Sequence, residues 1–92
     1  MNRRVLVRPQ AELDMLAAAT WYEAQRPGLG ADFLDEITAL VHSLADNALI
    51  YAEVTAAVRR APARRFPYIL SFRVTDSAIV VLSVLHMRRR PR

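Results

Sequence analysis

The chain has 92 residues, no cysteine, two glycines and a formal charge of +4. At roughly 100–200 residues per domain it holds one domain, spanning 1–92, and a second core has no room. A composition of 53% hydrophobic and 24% charged residues excludes disorder, and the lack of cysteine excludes a disulfide framework or a zinc–thiolate site.

The first eight residues include Val5, Leu6 and Val7, too few apolar positions for a signal-peptide core. They predict a first strand over 3–8, ended by Pro9. From Ala11 the spacing changes. Leu13, Leu16, Ala17, Thr20, Trp21 and Ala24 recur at three and four, which predicts an amphipathic helix to about Gln25 with that stripe as its apolar face. Glu12 and Asp14 suit the positive end of its dipole. Arg26-Pro27-Gly28 breaks it. Phe33, Leu34, Ile37, Leu40, Val41 and Leu44 then predict a second helix over about 30–46, antiparallel to the first. His42 falls off that stripe and is expected on the surface.

After Asp46-Asn47 the pattern is irregular until a short strand candidate at 57–60, followed by a turn at 61–64. Phe66, Tyr68, Leu70, Phe72 and Val74 alternate with other residues, the period of a half-buried strand. Thr75-Asp76-Ser77 reads as a turn. Residues 78–87 are apolar on both faces, as in a central strand. Even this run falls far short of the ~20 apolar residues that span a bilayer. Residues 88–92 form a basic tail. The order is β-α-α-β-β-β, an α+β chain in two layers.

Charge is distributed in blocks. Residues 1–8 carry three arginines and no acid, 9–53 carry eight acids against Arg26, and 54–92 carry nine arginines against Asp76. Segments with one solvated face each would produce such blocks. Every basic residue is arginine, a fork that grips phosphate and carboxylate bidentately, although arginine-rich genomes produce the same bias. The block pattern predicts a dipolar domain whose basic half meets an acidic partner.

Several segments together carry a resemblance: Trp21-Tyr22 with Arg26-Pro27-Gly28-Leu29-Gly30, then Val58-Arg59-Arg60-Ala61-Pro62, Arg65-Phe66-Pro67-Tyr68, and the closing Val84-Leu85-His86-Met87-Arg88-Arg89-Arg90-Pro91. Over residues 3–91 the chain resembles the RelE/ParE toxin superfamily of bacterial type II toxin–antitoxin modules, on its ParE-like, plasmid-stabilisation side. The resemblance implies a helix hairpin packed on one face of a small, mostly antiparallel sheet whose other face is open. It implies a cytoplasmic growth inhibitor without a cofactor, silenced by a cognate antitoxin whose flexible C-terminal segment wraps it, the pair repressing their own operon. The free toxin is then expected to expose apolar patches on its hairpin and sheet edge.

The superfamily divides by target. ParE-type members poison DNA gyrase without catalytic chemistry; RelE-type members cut mRNA on the ribosome. Metal-free RNA cleavage needs an acid, a base and cations for the phosphate. The resemblance assigns that role to His86 with Arg65, to which the strand period adds Arg73, and offers Glu53 as a partner carboxylate. Period 2 places Arg65 and Arg73 on the open strand face, where Arg60 and Arg88 join them as a target-binding basic face. A lone histidine at a strand end is more often structural than catalytic. Tyr68 is expected to fill core, and Trp21 to serve core or antitoxin contact. Three readings stand: gyrase inhibitor, ribosome-dependent endoribonuclease, and a non-toxic basic nucleic-acid-binding module.

Overall fold

The computed structural model describes residues 3–88, so Arg89 to Arg92 of the basic tail lie outside the described residues. The chain runs β1 (Arg4–Val7), α1 (Pro9–Gln25), α2 (Leu29–Asn47), a short 3-10 turn (Ala48–Ile50), β2 (Glu53–Thr55), β3 (Val58–Pro62), β4 (Tyr68–Val74) and β5 (Ala78–His86). The strands form one sheet in the order β1-β5-β4-β3-β2. Only β1 is parallel to its neighbour; the β2–β5 meander is antiparallel. This is the expected two-layer arrangement with one additional strand. β2 is three residues long and fully exposed, so it leaves no apolar alternation to read in the sequence.

Phe33, Ile37 and Leu44 of α2 are fully buried together with Leu70, Phe72, Ile79, Val81 and Val84 of the two central strands. Burying each such side chain stabilises the fold by about 1.5–3 kcal/mol relative to exposure. An aromatic cluster closes one end of this core. Tyr22, Phe33, Phe66 and Tyr68 meet at centroid distances between 4.8 and 6.1 Å, mostly edge to face.

The packing of α1 reverses the expected face. Its buried residues are Ala11, Ala18, Ala19 and Tyr22, whereas Leu13, Leu16, Ala17, Thr20, Trp21 and Ala24 are exposed. The helix is apolar on both sides, so period alone does not choose. Close approach decides. A Cβ added to Gly30 of α2 would lie 2.6 Å from the carbonyl oxygen of Ala19, a separation that only small side chains permit. The hairpin turn is set by Gly28 at φ 90° and by Glu23, whose carboxylate accepts hydrogen bonds from the Gly28 and Gly30 amides at 2.9 and 3.0 Å.

β1 reaches β5 only as far as Val81. Beyond it Asp14 of α1 takes over the edge, its carboxylate accepting the Val84 N–H at 2.9 Å. A β-bulge between Ser71 and Phe72 leaves Leu82 as the extra residue on β5.

Candidate functional site

Register defines the open face of the sheet. Tyr68, Leu70 and Phe72 are buried beneath the helices, so the alternate residues Ile69, Ser71 and Arg73 point the other way. Their partners share that face. Arg60 lies opposite Ser71, Val58 opposite Arg73, and Leu6 of β1 opposite Val80. Arg60 and Arg73 are thus diagonal neighbours on adjacent strands, about 7 Å apart at the backbone. Both are exposed, and among the described residues no carboxylate forms an ion pair with either. Two uncompensated guanidinium groups beside half-buried Ile69, Val80 and Leu85 make a surface suited to phosphate or carboxylate set against apolar contacts.

Arg65 does not belong to this face. β4 begins at Tyr68, and Arg65 lies in the preceding turn, turned toward α2. Its Nε is 3.4 Å from Glu36, its terminal nitrogen is 3.8 Å from Asp32, and its guanidinium stands 5.3 Å from the centre of the Phe66 ring. Glu36 also accepts the Arg64 and Arg65 amides at 2.6 and 2.9 Å. One half-buried carboxylate therefore clamps the β3–β4 turn to α2, drawing Arg65 away from the strand face. Its only sequence signal was an acid about two turns into a helix.

His86 lies opposite Tyr68, on the helix-packed side, with their rings 5.3 Å apart edge to face. Its Nδ1 accepts the Arg88 amide at 3.1 Å. Arg73 is on the opposite face, five residues along β4 from Tyr68, roughly 17 Å at the usual strand rise. The expected grouping of His86, Arg65 and Arg73 is thus not assembled: β4 register separates the first from the third, and Glu36 holds the second elsewhere. Glu53 is likewise engaged locally, pairing with Arg59 at 3.8 Å and accepting the Ala57 amide at 3.1 Å. Arg59 faces the helix side with Phe72 and donates to the Tyr51 carbonyl. Arg88 is exposed just past β5, where the Met87 amide donates to the Pro67 carbonyl at 2.8 Å, so it sits by the turn that carries Arg65. Tyr68 is buried and His42 exposed, as expected; Trp21 is 47% exposed and is not core.

An acidic helix hairpin covers one face of the sheet, and the other face carries Arg60 and Arg73. Residues 5–91 match the family model described as ParE toxin of type II toxin–antitoxin system, parDE. The chain therefore belongs to the ParE toxin family, as the toxin component of a two-protein module with an antitoxin partner. A solved chromosomal ParDE toxin–antitoxin system from P. aeruginosa has the same fold, with a TM-score of 0.84 and 21% identity over 94% of this chain and 97% of that one. No match among curated protein sequences reaches significance. No helix among the described residues is long and apolar enough to cross a membrane.

Proposed function

We propose that residues 1–92 form one toxin domain that acts in the cytoplasm by binding DNA gyrase, without catalytic chemistry of its own. Gyrase is the target typical of the family. The observation that supports this reading here is the separation of His86 from Arg60 and Arg73, which lie on the other face of the sheet. Nucleophile activation and phosphate stabilisation must act on one phosphodiester within hydrogen-bond reach. A histidine against Tyr68 on one face, with Arg60 and Arg73 on the other, does not meet that condition. Arg60 and Arg73, with Arg88 beyond the strand end, instead supply binding charge toward acidic protein or DNA backbone. Arg65 contributes through the turn it holds.

The test is induction of the toxin in cells lacking its antitoxin, with mapping of mRNA 5′ ends and a supercoiling assay on purified gyrase. Loss of supercoiling and a DNA-damage response without new 5′ ends is the expected result. New ends inside translated codons would overturn it in favour of ribonuclease action, and His86→Ala would then abolish cleavage. On the gyrase reading His86→Ala retains inhibition, whereas Arg60→Ala with Arg73→Ala reduces it at least about tenfold, each lost charge contact costing on the order of 1 kcal/mol or more.

A further inference from the structure

The basic face of the sheet extends beyond Arg60 and Arg73. Val5 and Val7 of β1 pack against the core, so Arg4 and Leu6 point to the open side. Arg8 continues that alternation, its amide donating to the Val81 carbonyl at 3.0 Å. Arg4 and Arg8 are exposed, and among the described residues neither takes part in an ion pair. Strand order then sets two arginine flanks on one face: Arg4 and Arg8 on β1, Arg60 and Arg73 on β3 and β4. At 4.7–4.9 Å per strand the flanks stand roughly 10–14 Å apart.

The floor between them holds half-buried Val80 and Leu85, with Ser71 directly opposite Ser83 at its centre. Glu53, the one acid in the described strands, is paired with Arg59 on the helix side. Four like charges gathered without a counter-charge repel one another, and an anion relieves that cost.

The make-up of the face selects among anions. Protein–DNA interfaces are more polar and far more positive than interfaces between proteins, whose centres are depleted of charge. Guanidinium and hydroxyl groups donate to phosphate and sugar oxygens. A single strand would need aromatic platforms for its bases, but Tyr68 and Phe72 of β4 are buried beneath the helices. A duplex instead offers two phosphate lines bordering a minor groove about 6 Å wide, and aliphatic side chains commonly accompany arginine there. Arginines leaning inward from both flanks reach both lines.

We propose that the open face of the sheet binds duplex DNA by its backbone, gripping it between the Arg4–Arg8 flank and the Arg60–Arg73 flank. The proposal deepens the gyrase reading, since DNA held by that enzyme is then what the face meets. It is measured without gyrase, so the two can fail separately.

The experiment follows the anisotropy of a short labelled duplex of arbitrary sequence titrated with the full-length toxin freed of antitoxin. Arg4→Gln with Arg8→Gln should weaken binding about tenfold or more at about 0.1 M salt, and so should Arg60→Gln with Arg73→Gln. Each pair should also reduce the slope of log affinity against log salt by about 1.8, or roughly 0.9 per lost phosphate contact. Arg26→Gln with Arg64→Gln removes the same charge away from this face and should change affinity less than twofold. Circular dichroism checks the fold of each variant. Equal losses from all three pairs would reduce the effect to net charge and overturn the site, as would absence of duplex binding. Tighter binding of polyglutamate or of a single strand than of the duplex would overturn the choice of ligand. Toxin that inhibits gyrase without binding DNA defeats this proposal alone; toxin that binds DNA through both flanks without inhibiting gyrase defeats the gyrase reading alone.

Discussion

The helix hairpin, residues 9–47, carries seven carboxylates against Arg26 alone, whereas residues 53–88 carry six arginines against Glu53 and Asp76. The two layers also leave different things uncovered. The hairpin exposes a leucine seam rimmed with acid; the sheet exposes Arg60 and Arg73 beside half-buried aliphatic residues. A chain this small thus presents two surfaces of opposite charge on opposite sides.

The strongest challenge to that division is to remove what both layers share. Phe72→Ala empties fully buried space between sheet and helices and should cost about 3–5 kcal/mol. With total stability of about 5–15 kcal/mol, both surfaces should be lost in one cooperative denaturant transition. Two separate transitions would mean that the layers are independent. Gly30→Ala acts on the hairpin alone, forcing a methyl group against the Ala19 carbonyl, at about 1–3 kcal/mol. Hydrogen exchange should quicken in α1 while β4 and β5 stay protected; uniform loss would show that the hairpin is not a separable surface.

Glu36→Gln sharpens the comparison at the seam between layers. It keeps the shape but removes the charge that holds the Arg64 and Arg65 amides and the Arg65 side chain. A loss of about 1–2 kcal/mol by urea denaturation is expected, and on the proposed gyrase reading inhibition is retained through Arg60 and Arg73. The smallest effect is a gain at the far edge of the sheet. Ala56 and Ala57 both adopt positive φ, 30° and 65°, in the two-residue turn that joins β2 to β3. Glycine relieves that conformation, so Ala57→Gly should stabilise by about 0.5–1 kcal/mol with neither partner affected. A drop in melting temperature would contradict it.

Much of the architecture was legible because periods are local. The alternation from Tyr68 to Val74, the apolar run from Ala78 and the stripe from Phe33 to Leu44 each specify an element and its buried residues. The break at Pro27-Gly28 and the closing Leu85-His86 stretch carried the family resemblance as well. Period tells which residues share a face, not which face turns inward. On α1 that choice fell to a close helix crossing that admits alanine and excludes leucine, so the expected core stripe became the exposed seam. The charge blocks predicted a dipolar domain, but not the neighbours of each arginine. Arg65 was claimed by Glu36, twenty-nine residues away in sequence, and His86 was set beside Tyr68 by strand register. Local sequence determined the elements and the sign of charge each layer carries. Tertiary packing alone decided which side chains meet, because close approach and cross-strand register are properties of pairs of elements.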